Sequence, residues 1–111
     1  MREADIVLVA LPQADGRTKP RPALLLRFMP PFQDALVCGI SSQLQQQVPE
    51  FDELLLTSEA DFAGTGLRTD SLIRLGFLAV VPRSNILGTL GGIAPLRHQR
   101  LLQRLSDYLR P

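Results

Sequence analysis

The chain has 111 residues, 45% of them hydrophobic and 21% charged, which fits one folded domain over 1–111 and excludes a disordered protein. The formal net charge of +1 does not mark a nucleic-acid binder by bulk charge, and the single cysteine excludes an internal disulfide. No apolar run approaches the roughly 20 residues of a membrane-spanning helix, and the first residues lack a signal-peptide pattern. A cytoplasmic location without membrane contact is therefore expected.

Short Val-, Ile- and Leu-rich runs bounded by Pro, Gly or Asp predict a mainly β core. The predicted strands are 5–11, 22–29, 35–41, 53–57, 71–75 and 77–82, with a short final strand flanked by Gly88, Gly91 and Gly92. The pair Asp15-Gly16 predicts a turn after the first strand. Continuous apolar character over 35–40 indicates burial on both faces, and Gly39 within it indicates a bulge or a close backbone approach.

One helix is predicted over 95–109, with Pro95 in its first turn. The apolar stripe that would pack this helix on the sheet consists of Leu101, Leu105, Tyr108 and Leu109. The residues that project mainly elsewhere are Arg97, Arg100 and Arg104. The segment 50–61 has five carboxylates and no cation, whereas arginines dominate from Arg74 onwards. These arginines form either a local basic surface or simply a solvated helix face.

The segment Lys19-Pro20-Arg21-Pro22 is the clearest candidate for binding chemistry. Proline restricts the residue before it to extended geometry, so Arg21 is held at a strand entrance. A fixed guanidinium with five donors suits a phosphate, although a solvated arginine at a strand end explains the same residues.

Metal and cofactor motifs are missing from the sequence, so neither a metal nor a cofactor is expected. The only histidine, His98, precedes the apolar stripe of the helix by one turn, which favours a surface or partly packed side chain over a catalytic one. The only cysteine, Cys38, lies inside an apolar run and is expected to be a buried, inert small hydrophobe.

The groups that remain for chemistry are cations, hydroxyls and amides: Lys19, Arg21, Ser41, Ser42, Gln43 and Arg74. Such a set can stabilise a phosphorane without a metal. It favours RNA over DNA because RNA carries its own nucleophile, the 2′-OH. The glutamines from Gln43 to Gln47, including Gln45, either read base edges or belong to a solvated loop. The chain has no Trp and few aromatic residues, so stacking would add only modest RNA affinity.

These features occur together, and in the same order, in a known family. The chain resembles the MazF/PemK-type toxins of type II toxin–antitoxin modules, most closely the PemK-like branch. The segments that carry the resemblance are Ala4-Asp5-Ile6, Asp15-Gly16, Lys19-Pro20-Arg21-Pro22, Ile40-Ser41-Ser42-Gln43, Gly66-Leu67, Ser71-Leu72-Ile73-Arg74 and Ile86-Leu87-Gly88-Thr89-Leu90. The Lys-x-Arg-Pro block is the most specific of them.

The resemblance implies an SH3-like small barrel with a C-terminal α-helix, usually a homodimer. It implies a metal-independent endoribonuclease that cuts single-stranded messenger RNA, with a cognate antitoxin as partner. By position, Arg21 would be the catalytic or phosphate-binding arginine, Ser41 the hydroxyl that contacts the phosphate, and Arg74 the second arginine. Lys19, Ser42, Gln43 and Gln45 would bind RNA around them.

The sequence departs from the family pattern where acid–base help would be expected. The PemK-like branch has an aspartate two residues after the second arginine, and here that position is Gly76. Asp15 or Asp70 could substitute, but each also fits a solvated turn. Two other functions stay open: a non-catalytic relative that only binds an antitoxin or RNA, and a gyrase-directed toxin of the CcdB type, which would depend on the C-terminal helix.

Overall fold

A computed structural model describes residues 1–12 and 15–111. Over these residues the strands are β1 (Asp5–Pro12), β2 (Thr18–Met29), β3 (Asp34–Ser41), β4 (Glu53–Leu55), β5 (Ser71–Val81) and β6 (Ile86–Gly92). One helix, α1 (Pro95–Leu109), follows them, and short 3-10 turns span Leu44–Gln46, Ala63–Thr65 and Arg83–Asn85. The predicted mainly β class with a C-terminal helix is confirmed. The turn predicted after β1 includes residues 13 and 14, which lie outside the described residues.

The strands form one antiparallel sheet in the order β4-β5-β3-β2-β1-β6. The sheet is not closed, because β4 and β6 are its two edges, and this arrangement is compatible with the small-barrel class. β2 begins at Thr18, earlier than predicted, because Lys19 and Arg21 pair with Leu11 and Val9 of β1. The Lys-Pro-Arg-Pro segment is therefore part of a strand and not of the preceding loop. β4 ends earlier than predicted, since only Glu53–Leu55 pair with β5.

The prediction of separate strands over 71–75 and 77–82 is wrong, because β5 is one strand with a large bulge. Gly39 of β3 pairs with Arg74, but the preceding residue, Cys38, pairs with Leu78. The three residues Leu75-Gly76-Phe77 therefore have no ladder partner on β3. Gly76 looked like a break in the sequence, but glycine inside a strand also marks bulges. Gly39, predicted to mark a bulge or a close approach, lies opposite this bulge, and a Cβ there would lie 3.0 Å from Phe77 Cδ1.

The inner strands carry apolar side chains on both faces of the sheet. The larger cluster includes Leu24, Cys38 and Leu101, and the second cluster includes Leu25 and Val37. Val37 and Cys38 are neighbours in β3 but belong to different clusters, which confirms that 35–40 is covered on both faces.

Helix α1 packs on the larger cluster through only half of its predicted stripe. Leu101 and Leu105 are buried, whereas Tyr108 and Leu109 are 73% and 66% exposed. Tyr108 instead packs its ring on Phe51, with the two centroids 4.9 Å apart. The prediction that all four stripe residues pack on the sheet is therefore wrong at the end of the helix.

The arginines of α1 are paired with carboxylates and do not form a free basic surface, although Arg100 is exposed. Arg97 is buried and donates to Asp61 Oδ2 at 2.9 Å, to Glu53 Oε1 at 2.7 Å and to Glu59. Glu53 also forms ion pairs with Arg100 at 2.6 Å and with Arg104 at 3.2 Å. The acidic segment 50–61 and the basic helix, which look independent in sequence, neutralise each other.

Candidate functional site

A cleft opens at the place where β2 and β3 separate. Their ladder runs as far as Ala23 and Gly39. The residue before Ala23 in β2 is Pro22, which has no N–H to donate and cannot continue the ladder in the usual way. Beyond this point β2 stays paired with β1, while Ile40 and Ser41 stay paired with β5. The two strands therefore move apart and leave Arg21 on one wall of the opening and Ser41 on the other.

The cleft has a volume of about 530 Å³. Its lining residues are Arg21, Pro22, Gly39, Ile40, Ser41, Ser42, Gln43, Leu67, Arg68, Thr69, Ser71, Arg74 and Phe77. The lining thus contains three arginines, several hydroxyls and one side-chain amide. No carboxylate, histidine or cysteine lines it among the residues that the structure describes. Such a surface is suited to an anion with several oxygens, such as a phosphate.

Five of the seven site residues predicted from the sequence line this cleft: Arg21, Ser41, Ser42, Gln43 and Arg74. The other two, Lys19 and Gln45, are exposed outside its lining. Gln45 is linked to the lining through Gln43, because Gln45 Nε2 donates a hydrogen bond to Gln43 Oε1 at 2.8 Å. Lys19 precedes Arg21 by two residues on β2, so both lie on the same side of the strand.

Ser41 presents a hydroxyl whose oxygen is already positioned. Its Oγ accepts a hydrogen bond from the backbone N–H of Gln43 at 3.0 Å. That bond uses an oxygen lone pair and leaves the hydroxyl hydrogen able to donate to a bound anion. By contrast, the hydroxyls of Thr69 and Ser71 donate to backbone carbonyls of Asp70 and Thr69 at 3.0 and 2.9 Å.

Two notable lining residues were missed by the sequence analysis, Arg68 and Phe77. Arg68 lies in the loop before β5, two residues after Gly66, whose φ of +75° is a left-handed conformation. Phe77 follows Gly76 in the bulge, and its ring lies 5.6 Å from the guanidinium of Arg74. Gly66 and Gly76 can be recognised in the sequence as signs of irregular backbone. The sequence does not show that the nearby Arg68 and Phe77 line the cleft.

The proposed substitutes for the missing acid have other partners. Asp15 Oδ1 accepts from the backbone N–H of Arg17 at 3.0 Å, and Asp70 Oδ1 accepts from that of Thr57 at 2.7 Å. These bonds are typical of turn carboxylates, and neither residue lines the cleft.

Position 76 also faces away from the cleft. A Cβ added to Gly76 would lie 3.5 Å from Phe51 Cε2. Gly76 lines a second depression of about 570 Å³ beside the end of α1, together with Phe51, Leu75 and Tyr108. A side chain at this position would therefore point toward that depression.

His98 and Cys38 have the packed environments that the sequence predicts. The Nε2 of His98 lies 2.8 Å from the carbonyl oxygen of Leu26 and donates to it, since a carbonyl only accepts. Cys38 is buried, and burial, reinforced by the charge of Asp52, raises its thiol pKa to about 12. A thiol in this state is not a nucleophile at neutral pH.

Fold and cleft together define a class: a small β protein with one C-terminal helix and a cleft lined by arginines. The model of the family described as PemK-like, MazF-like toxins of type II toxin–antitoxin systems matches residues 2–109. The chain belongs to this family.

A solved structure shares the fold. The chain is similar to the Mycobacterium tuberculosis toxin MazF-mt6, with a TM-score of 0.69, 17% identity and coverage of 95% of each chain. No curated protein sequence matches the chain. Among the described residues, no helix has the length and apolar character needed to cross a membrane.

Proposed function

We propose that the protein is a toxin that cleaves single-stranded RNA without a metal, using Arg21, Ser41 and Arg74 around the scissile phosphate. The observation that carries the proposal is that these three residues, distant in sequence, line one cleft without a carboxylate among the described residues. Cations and hydroxyl donors on facing walls can hold a phosphate between them, and a negative neighbour would weaken that hold.

The reaction begins with the 2′-OH of the substrate. Its oxygen forms a bond to phosphorus, the bond from phosphorus to the 5′ oxygen breaks, and a 2′,3′-cyclic phosphate and a 5′-OH result. Hydroxide takes the proton of the 2′-OH and becomes water. We assign to Arg21 and Arg74 the stabilisation of the charge on the non-bridging oxygens, and to Ser41 a hydrogen bond to one of them. Arg21 also protonates the leaving 5′ oxygen and regains its proton from water.

RNA binding around the phosphate extends to the neighbouring polar side chains. We assign Ser42 and Gln43 to contacts inside the cleft, and Lys19 and Gln45 to contacts at its edge. Arg68 adds a third arginine to the two assigned from the sequence. Because such contacts are largely electrostatic, RNA affinity should fall as the salt concentration rises.

The partners follow from membership of a toxin family and from the charge of the cleft. We propose a cognate antitoxin whose acidic, disordered tail covers the cleft, since three guanidiniums there attract carboxylates. We also propose a homodimer as the active form. The proposed substrate, messenger RNA, makes the cytoplasm the expected location.

A non-catalytic role is the second candidate, and one observation favours it. No side chain that could act as a general base lines the cleft within the described part of the chain. A protein of this kind would bind RNA or an antitoxin through the same arginines without cutting. Cleavage and binding must therefore be measured separately.

The test is cleavage of single-stranded RNA by the purified protein in EDTA, read on a denaturing gel. Arg21→Ala should lower the cleavage rate by at least about a hundredfold, since one donor to a charged transition state is lost. Arg17→Ala is the matched control, because Arg17 is also an exposed arginine near the start of β2 but does not line the cleft.

Substrate chemistry gives a second check. An oligonucleotide with a 2′-deoxy sugar at the cleavage position should bind and stay intact. Failure of the wild type to cut any RNA, or equal rates for wild type and Arg21→Ala, would overturn the proposal. RNA binding without cutting would support the non-catalytic role, and inhibition of supercoiling without RNA cutting would support a gyrase-directed toxin.

A further inference from the structure

Phe77 is the one aromatic residue in the lining of the cleft, as far as the described residues go. Phe77 is 47% exposed. Of the other phenylalanines, Phe62 is buried in the core and Phe51 packs on Tyr108. Phe28 contacts Arg83, and Phe32 is exposed, but neither lines the cleft. Phe77 thus exposes a flat aromatic surface inside an opening that also holds three arginines.

Backbone geometry fixes the position of this ring. A Cβ on Gly39 would lie 3.0 Å from Phe77 Cδ1 and 3.3 Å from Cγ, so the ring rests in space that a glycine leaves open. The unpaired residues Leu75-Gly76-Phe77 shift the register of β5 and bring the ring to this point. The position of the Phe77 ring therefore depends on the β3–β5 ladder. The ring could leave the cleft only if the backbone rearranged locally.

The ring also contacts a cation of the site. The guanidinium carbon of Arg74 lies 5.6 Å from the ring centroid, within the range of a cation–π interaction. Arg74 is half-buried, and Arg21 and Ser41 lie in the same cleft. The aromatic ring of Phe77 thus lies next to Arg74, one of the cleft residues suited to binding a phosphate.

This combination matches the parts of an unpaired nucleotide. A nucleotide offers a phosphate for guanidiniums, a flat base for an aromatic ring, and a base edge for an amide such as that of Gln43. An aliphatic peptide side chain could pack on Phe77, Ile40 and Leu67, but it carries no group for the guanidiniums and the amide of the same lining. The chemistry therefore favours a nucleobase over a peptide at this position.

We propose that Phe77 is a stacking platform for one unpaired base of the RNA substrate, with Arg74 linking the ring to the adjoining phosphate. The inference rests on the proposed RNA cleavage and adds to it a residue that raises RNA affinity without touching the reacting atoms. One platform serves one base, which agrees with a chain in which only 5% of residues are aromatic.

The experiment uses the RNA sequence that the protein cuts, with a 2′-deoxy sugar at the cleavage position, and measures affinity by fluorescence anisotropy. Phe77→Leu keeps an apolar side chain on Gly39 but removes the aromatic face, and should weaken binding about tenfold. Phe77→Tyr keeps the face and should stay within about twofold of the wild type. A series of oligonucleotides carries an abasic site at each position in turn, and at one position the effect of Phe77→Leu should disappear.

The outcomes separate this inference from the function on which it rests. Equal binding by wild type and Phe77→Leu, with cleavage still dependent on Arg21, would overturn the stacking role alone. Equal weakening by Phe77→Leu and Phe77→Tyr, or weakening that no abasic site removes, would show a structural role and also overturn it. A lower molecular mass of Phe77→Leu in light scattering would show a subunit contact instead. A wild type that neither binds nor cuts RNA would overturn both proposals.

Discussion

Arg97 on α1 and Asp61 in the loop before β5 are joined by two hydrogen bonds, from Nε to Oδ2 at 2.9 Å and from Nη2 to Oδ1 at 3.1 Å. The same guanidinium donates to Glu53 and to the carbonyl of Leu54 at 2.7 and 3.1 Å. Arg97 therefore fastens β4 and the loop that follows it to the helix. That loop continues to Arg68, so its attachment also supports one wall of the cleft.

Removal of the Arg97 side chain should destabilise the protein strongly. Arg97 is only 6% exposed, and Arg97→Met would leave the carboxylates around it without their shared partner. The expected loss is about 3 to 5 kcal/mol of unfolding free energy, measured by urea denaturation. Arg110→Ala is the control, since Arg110 pairs with Asp107 at an exposed site and should cost less than about 1 kcal/mol. Similar losses for both variants would contradict this role.

The same cluster should make stability depend on pH in the acid range. Burial opposes ionisation of Glu53, but the hydrogen bond and charge of Arg100 and the charges of Arg97 and Arg104 outweigh it and lower its pKa. The hydrogen bond from Arg97 lowers the pKa of Asp61 despite partial burial. A carboxylate with a lowered folded-state pKa stabilises the protein above its unfolded pKa and loses that contribution as pH falls through the folded value.

Unfolding free energy should therefore be constant near pH 6 and fall progressively below about pH 5, where unfolded carboxylates begin to take up protons. Urea denaturation at a series of pH values measures the slope. Glu53→Gln should be less stable at pH 6 and show a shallower decline, because one of the titrating groups is gone. An unchanged slope in this variant would assign the acid sensitivity to other carboxylates.

The sequence predicted much of the β core because short apolar runs with clear breakers specify strands locally. It also predicted that Arg21 and Ser41 belong together, through motifs whose order follows the family. It failed where structure depends on distant partners. The bulge that places Phe77 in the lining of the cleft depends on the register between β5 and β3. The alternation of apolar and polar residues along β5 alone does not indicate it. The Arg97 pairs join residues 36 to 44 positions apart, which composition cannot reveal.

Pro22 should be needed for the shape of the cleft more than for stability. It is the first residue of β2 beyond the β2–β3 ladder, which ends at Ala23, and Pro22→Ala would supply an N–H that lets the strands pair further. We expect RNA cleavage to fall about tenfold as the walls close, with unfolding free energy changed by less than about 1 kcal/mol. Pro20→Ala is the matched control, because Pro20 also lies in β2 but does not line the cleft. Equal rates for both variants would mean that Pro22 does not shape the site.

The pH dependence of RNA cleavage should reflect a cleft without a titrating base among its described lining residues. With hydroxide as the base, the rate should rise about tenfold for each pH unit between 6 and 9. Gly76→Asp should leave this slope unchanged, because a side chain at position 76 points toward Phe51 and not into the cleft. Rates from single-turnover assays in EDTA provide the measurement. A plateau or bell shape in the wild type would reveal a side-chain base, and a new plateau in Gly76→Asp would show that position 76 reaches the substrate.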